Sequence, residues 1–199
     1  AVLLNLLVPI AAWRAARVIT GSEATKQDLV RYYRLPPERV VVTPYAADPI
    51  YQPMERRRAR ERVVTAFGIR GPYVLSVGVL QPRKNLPRLV RAFGRIARRV
   101  PHRLVIVGKE GWMGEALRHA VQESGVGHRI VFTGYVADAD LPALYAAADV
   151  FAYPSLYEGF GLPPLEAMAC GTPVLTSDVS SLPEVVGDAA RRVDPYSEE

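Results

Sequence analysis

Six short apolar segments between residues 73 and 193 alternate with amphipathic ones, and this alternation limits the fold more than any other feature. The predicted strands are Tyr73–Gly78, Arg103–Gly108, Ile130–Thr133, Val150–Tyr153, Pro173–Thr176 and Ala190–Val193. Short apolar strands separated by helices are typical of a parallel sheet that is covered on both faces. We therefore predict an α/β fold with a doubly wound parallel sheet, whose ligands bind beyond the carboxyl ends of the strands.

Two carboxylates follow the strand predicted at Val150–Tyr153. Glu158 lies in a loop with Gly159 and Gly161, and Glu166 lies in the helix after that loop. We expect the prolines before it to open that helix and to place Glu166 in its first turn, where free N–H groups and the helix dipole favour an anion. Carboxylates bind sugar hydroxyls and N–H groups bind phosphate, so the spacing predicts a nucleotide-sugar site.

A pair of cations follows the strand that ends at Gly78. Arg83 and Lys84 lie in a turn before a helix whose predicted N-cap is Asn85. A leaving diphosphate gains negative charge in the transition state, and fixed cations stabilise it. Arginine can bind phosphate through two parallel hydrogen bonds, whereas lysine acts as a point charge. We therefore predict that both side chains bind a diphosphate.

Two motifs carry a resemblance to a known family. The segment E-G-F-G-L-P-P-L-E-A-M-A-C-G-T-P-V, from Glu158 to Val174, resembles the signature of retaining glycosyltransferases of the family 4 type, which have the two-domain GT-B architecture. The segment V-G-V-L-Q-P-R-K-N-L, which begins at Val77, resembles their phosphate-binding turn. Many relatives have an arginine directly after the strand-ending glycine, where this chain has Val79. The resemblance extends from about Arg17 to Pro195.

The resemblance also implies a role for each residue of the site. It places Glu158 at the donor sugar, Glu166 at the ribose, and Arg83 and Lys84 at the leaving diphosphate. The other donor-binding positions that it implies are Gly78, Gly108, Phe132, Gly134, Gly159, Phe160, Gly161 and Leu162. The turn Gly108–Gly111 would flank the nucleotide, although a plain turn explains it equally well.

The domain organisation also follows from the resemblance. Residues 1–43 match the end of an acceptor domain, residues 44–71 a proline-rich linker with its lead-in, and residues 72–199 a donor-binding domain that is expected to be truncated at its C-terminus. Two such domains need roughly 150 or more residues each. We therefore expect this 199-residue sequence to be a fragment that does not transfer sugar by itself.

Metal and cofactor sites are not expected. No cluster of His, Cys or Asp has metal-ligand spacing, and a D-x-D sequence occurs only as Asp138–Asp140, before a helix that Asp140 is expected to cap. The expected ligand is a nucleotide-diphosphate sugar, without a metal ion or another cofactor.

The charge distribution bears on the partners. Residues 55–103 carry fourteen Lys or Arg and two Glu. We expect no nucleic-acid binding, because this stretch lacks interleaved surface aromatics and a nucleic-acid motif. The arginines of the helix after Asn85 fit either a solvated face or peripheral docking to an anionic membrane, which would suit a lipid-linked acceptor. The expected location is the cytoplasm, including the inner face of the membrane.

The predicted function is transfer of a hexose from a nucleotide-diphosphate sugar to an acceptor hydroxyl, with retention of the anomeric configuration. The first alternative is a non-catalytic GT-B-like module that binds a nucleotide sugar or a protein, which the intact Glu158, Glu166, Arg83 and Lys84 disfavour. The second is a dinucleotide-dependent oxidoreductase. It is disfavoured because no predicted strand is followed by G-x-G-x-x-G with an acidic residue ~20 positions later.

Overall fold

The computed structural model describes residues 2–109 and 114–198, with side chains from residue 7 onward. Its strands are β1 (Val18–Thr20), β2 (Val40–Val42), β3 (Tyr73–Val77), β4 (Arg103–Val107), β5 (Ile130–Gly134), β6 (Val150–Tyr153), β7 (Val174–Ser177) and β8 (Arg191–Val193). Its α-helices are α1 (Val2–Arg14), α2 (Glu23–Tyr33), α3 (Arg56–Phe67), α4 (Leu86–Ile96), α5 (Gly114–Ser124), α6 (Leu141–Ala147), α7 (Leu162–Ala169) and α8 (Leu182–Val186). Short 3-10 turns at Pro82–Lys84 and Asp138–Asp140 precede α4 and α6.

The main sheet has six parallel strands in the order β5-β4-β3-β6-β7-β8. Each of the six predicted strands is present, with ends that differ by at most one residue from the prediction. The chain runs outward from β3 in one direction and then returns to add β6 on the other side. Doubly wound folds bind ligands at such a reversal, in a crevice at the carboxyl ends of the two strands, which here are β3 and β6. The predicted fold class is confirmed.

Helices cover both faces of this sheet. Side chains of α3, α6 and α7 pack with β3 and β6 in one core, in which Tyr145 and Phe151 are completely buried. Side chains of α4 and α5 pack with β4 in a second core around Val90 and Leu104. The near-continuous apolar character of the strands is explained by this burial from both sides.

The segment before the main sheet contains a second, smaller sheet and further helices. The strands β1 and β2 form a separate two-stranded parallel sheet beside α2. Residues 56–67 form α3, and its Ala59 and Val63 are buried in the main core. The stretch from 43 to 55 that precedes α3 contains no helix or strand.

Glycines bring the ends of β3 and β4 into direct backbone contact. Gly78 and Gly108 have φ values of 146° and 150°. A Cβ atom at Gly108 would lie 2.0 Å from the Gly78 carbonyl oxygen, so no side chain fits there. The Gly78 N–H donates to the Val107 carbonyl at 2.9 Å, and the Gly108 N–H donates to the Gly134 carbonyl at 2.9 Å. These contacts give the crevice a floor of bare backbone at the ends of β3, β4 and β5.

Two residues that were predicted to cap helices do precede those helices, but their side chains make no capping hydrogen bond. Asn85 does precede α4, but it has a φ of 58° and its side chain makes no capping hydrogen bond. Its amide instead donates to the carbonyls of Pro154 at 3.1 Å and Pro195 at 2.8 Å. Asp140 precedes α6 and likewise caps nothing, because its carboxylate pairs with Arg62 at 2.8 Å. In both cases the side chain binds a residue that is distant in sequence and not the N–H groups of its own helix.

No helix in the described ranges is long and apolar enough to cross a membrane.

Replacing Asn85 with Ala should lower the free energy of unfolding by about 2–4 kcal/mol, as measured by urea denaturation. The buried Pro154 carbonyl loses its donor, the Pro195 carbonyl keeps only its bond from Arg88, and alanine resists the positive φ at this position. The control is Asn85→Gly, which loses the same hydrogen bonds but adopts a positive φ without steric cost. The glycine variant should be about 1 kcal/mol more stable than the alanine variant. Wild-type stability in both variants would contradict the assigned role of the amide.

Candidate functional site

Three predicted site residues meet in one ion-pair network at the carboxyl ends of β3 and β6. The Lys84 ammonium lies 2.7 Å from Oε1 of Glu158. The Arg83 guanidinium lies 2.5 Å from Oε2 of the same carboxylate. Lys84 and Glu158 are each 7% exposed, whereas the Arg83 side chain is 42% exposed. The turn after β3 and the loop after β6 are therefore joined by charge, and Arg83 is the member that faces solvent.

Tyr153, the last residue of β6, completes this network and was not predicted from the sequence. Its hydroxyl donates to Glu158 Oε1 at 2.9 Å and accepts a hydrogen bond from the Lys84 ammonium. The same ammonium lies 4.4 Å from the centre of the Tyr153 ring. The apolar strand pattern hides this role, since a tyrosine at the end of a buried strand is expected to pack in the core. Tyr153 thus fixes Lys84 and Glu158 relative to each other.

Burial and mutual pairing set the protonation of this network. Burial lowers the pKa of Lys84, although the charge and hydrogen bond of Glu158 oppose the shift. Burial alone would raise the pKa of Glu158, but Lys84 and Arg83 together hold it below its ordinary value. Glu158 is therefore an ionised carboxylate at neutral pH. Burial also raises the pKa of Tyr153, so its hydroxyl stays protonated and available as a donor.

The loop after Glu158 has its carbonyl groups bound by side-chain hydroxyls. The Ser181 hydroxyl bridges the carbonyls of Glu158 at 2.9 Å and Phe160 at 2.6 Å. The Gly159 carbonyl accepts hydrogen bonds from Ser22 at 2.5 Å and Thr25 at 2.9 Å. In the described part of the chain, the N–H groups of Gly159, Phe160 and Gly161 have no acceptor. The loop thus presents free donors, as an anion or a set of sugar hydroxyls requires.

The hydroxyls that hold this loop come from distant parts of the chain. Ser22 and Thr25 lie at the start of α2, whose first N–H groups are in turn bound by the Glu184 carboxylate at 2.8 and 3.0 Å. Ser22 is the N-cap of α2, since its side chain accepts a hydrogen bond from the Thr25 N–H. No local sequence signal links α2 to residue 159, which explains why these supporting hydroxyls were not predicted.

Glu166 occupies a separate position from this network. The prediction that it lies in the first turn of its helix is wrong, because α7 begins at Leu162 rather than at the prolines, and this puts Glu166 in the second turn. Its Oε2 accepts a hydrogen bond from the Tyr145 hydroxyl at 2.8 Å. Burial raises the pKa of Glu166, Asp138 and Asp48 add to the increase, and the Tyr145 hydrogen bond opposes it.

The remaining predicted positions line the strand ends. Phe132 and Gly134 end β5, where the Phe132 side chain is 46% exposed and Gly134 has a φ of 70°. Beside them the Lys109 ammonium lies 4.7 Å from the centre of the Tyr135 ring, a contact that was not predicted. Glu110 and Gly111 of the predicted turn after β4 lie outside the described residues. An open apolar and cationic surface therefore borders the bare backbone floor.

The described residues contain no group of three His, Cys, Asp or Glu side chains that could hold a metal ion. Metal independence stays a prediction.

The chain is similar in sequence to a known protein family and to several of its members. The family profile described as Glycosyl transferases group 1 matches residues 58–199. The O-antigen chain mannosyltransferase B of Escherichia coli is 40% identical over 186 residues, which cover 91% of this chain and 48% of that protein. The D-inositol 3-phosphate glycosyltransferase of Nocardia farcinica is 37% identical over 184 residues, which cover 88% of this chain and 40% of that protein.

A solved structure shows the same architecture. The sucrose-phosphate synthase from Thermosynechococcus elongatus superposes with a TM-score of 0.83 at 27% identity, over 100% of this chain and 50% of that one. The chain spans about half the length of the curated relatives it matches, or less. The family match covers most of the chain and all of the main sheet. The chain therefore belongs to the glycosyltransferase group 1 family.

Proposed function

We propose that this chain is the donor-binding part of a retaining, metal-independent glycosyltransferase that moves a hexose from a nucleotide-diphosphate sugar to an acceptor hydroxyl. The observation that carries the proposal is the convergence of Arg83, Lys84 and Glu158 at the crevice between β3 and β6, beside a loop of free N–H groups. Cations and free donors at one end of a crevice suit a diphosphate, and a carboxylate beside them suits a sugar hydroxyl.

Each group has a chemical task in this proposal. Arg83 and Lys84 stabilise the charge that develops on the leaving diphosphate. The N–H groups of Gly159, Phe160, Gly161 and Leu162 bind phosphate oxygens and sugar hydroxyls. Glu158 faces the donor sugar and Glu166 accepts the ribose hydroxyls. The bare strand ends at Gly78 and Gly108 let the nucleotide approach the backbone closely, while the edge formed by Phe132 and Gly134 receives the base.

Retention follows from a front-face reaction. As the glycosidic bond breaks, the leaving diphosphate accepts the proton of the acceptor hydroxyl, which attacks from the same face. No side chain needs to act as nucleophile, so positioning and electrostatics supply most of the rate. The donor half cannot position the acceptor alone, and we propose that the transfer itself requires a second domain.

The acceptor and its location are also proposals. The name of the Escherichia coli relative specifies an O-antigen chain and mannose, which favours a saccharide acceptor and a mannosyl donor among the candidates. On α4 and the turn after it, Arg95, Arg98 and Arg99 are exposed, whereas Arg91 is paired with Glu198. We propose that the exposed arginines favour an anionic membrane surface at the cytoplasmic side, near a lipid-linked acceptor.

The first test is donor binding without metal. The chain should bind nucleoside diphosphates and their sugars in a calorimetric titration with a panel of UDP-, GDP- and ADP-sugars, and EDTA should leave the dissociation constant unchanged. Both the cations and the free N–H groups lie within this chain, so no metal is needed to neutralise the diphosphate. Absence of heat with every nucleotide, or binding that depends strictly on Mg²⁺, would contradict the proposal.

The second test removes the cations. Arg83→Ala should weaken nucleoside diphosphate binding about 10-fold or more, since a charge-assisted hydrogen bond contributes about 1.5–3 kcal/mol. Lys84→Ala should do the same and should also lower the thermal stability, because it leaves the buried Glu158 with fewer partners. Arg95→Ala on the exposed face of α4 is the matched control and should bind like the wild type. Unchanged affinity in both site variants would remove these residues from the site.

The third test concerns the ribose and pH. An ionised carboxylate accepts hydrogen bonds from ribose hydroxyls more strongly than a protonated one, so the Glu166 contact should weaken as the pH falls through its raised pKa. Tyr145→Phe removes the hydrogen bond that opposes the increase, so the loss should begin at a higher pH than in the wild type. The measurement is the ratio of affinities for a nucleoside diphosphate and its 2′,3′-dideoxy analogue between about pH 5 and 8.

Both ligands carry the same phosphate groups, so the titration of the phosphates does not change this ratio. The control is Glu166→Gln, for which the ratio should not depend on pH. Identical pH profiles for the wild type and Tyr145→Phe would show that the tyrosine does not act on the ribose contact.

A further inference from the structure

Glu158 pairs with the same two cations that a diphosphate would need. Both carboxylate oxygens of Glu158 are engaged: Oε1 by Lys84 and Tyr153, and Oε2 by Arg83. A diphosphate that reaches the crevice therefore meets cations that already have an anionic partner. Donor binding must break or share these ion pairs.

The charges of the network give the direction of this competition. Arg83 and Lys84 contribute two positive charges and Glu158 one negative charge, so the network has one net positive charge. A nucleotide-diphosphate sugar carries about two negative charges. Because Lys84 and Glu158 are buried, solvent screens the repulsion between this carboxylate and an incoming phosphate only weakly.

The geometry allows exchange without unfolding the site. The Arg83 side chain is 42% exposed, and its other contacts are a weak one to Gln81 and one to the Tyr157 carbonyl, each at 3.2 Å. The Lys84 ammonium has three N–H donors, of which Glu158 and Tyr153 engage two. Arg83 can therefore turn toward a phosphate while Lys84 keeps its place and offers its remaining donor.

We propose that Glu158 is an exchangeable counter-anion, which holds Arg83 and Lys84 in position in the empty site and gives them up to the donor diphosphate. This inference rests on the proposed function, because it assigns the diphosphate to the same two cations. Tyr153 is the positioning residue that keeps the carboxylate next to Lys84. After transfer, Glu158 regains the cations and so competes with the nucleoside diphosphate product, which favours its release.

The experiment measures the binding of inorganic diphosphate and of a nucleoside diphosphate to the full chain by calorimetry. Glu158→Gln keeps the shape of the side chain and removes its charge, so both ligands should bind about 10-fold more tightly than to the wild type. Tyr153→Phe loosens the hold on Glu158 and Lys84 and should strengthen binding in the same direction, by about 2- to 3-fold. Thermal unfolding establishes that each variant is folded.

The matched control is Glu61→Gln, since Glu61 pairs with Arg57 on the exposed surface of α3 and with neither cation of the site. Its affinity for both ligands should equal that of the wild type. Unchanged or weaker binding by folded Glu158→Gln would overturn the inference, and if that variant does not fold, the same result for Tyr153→Phe would do so. A wild-type chain that binds neither ligand would instead reject the proposed function.

Discussion

The buried ion pair between Lys84 and Glu158 joins the two halves of the sheet at the point where the chain reverses direction. Lys84 follows β3 and Glu158 follows β6, and these strands are neighbours although 74 positions separate the two residues. A buried charge without a partner is strongly destabilising, so neither turn can move independently of the other. The crevice, the position of Arg83 and the start of the Glu158 loop all depend on this pair.

The fold was predictable from sequence because its signals are local. Apolar runs such as Arg103–Val107 end at glycines, and the structure shows why these must be glycines: at Gly108 a Cβ atom would meet the neighbouring turn. The cations and the first carboxylate were also predictable, since each follows a strand end and parallel strands end at the same edge. The family motif added roles that the spacing alone does not give.

The errors have a common physical origin. Asn85 and Asp140 have the composition of N-caps and stand at helix starts, but partners from distant elements take their side chains. The helix that carries Glu166 begins at Leu162, one residue before its first proline. Glu166 therefore lies in the second turn, and its carboxylate accepts a hydrogen bond from the Tyr145 hydroxyl. Local propensity gives the start of a helix only approximately, as α7 shows, whereas tertiary contacts decide what its side chains bind.

The contact between the start of α2 and the Gly159 carbonyl affects the order in which the parts of the chain fold. Ser22 precedes Gly159 by 137 residues, so this hydrogen bond closes one of the longest loops in the molecule. Contacts at large sequence separation form late, because their loop entropy is recovered only after other parts have packed. During synthesis, α2 leaves the ribosome long before the loop at Gly159 has been made. We therefore expect the loop with free N–H groups to be among the last parts of the chain to take its final conformation, after the sheet that carries it.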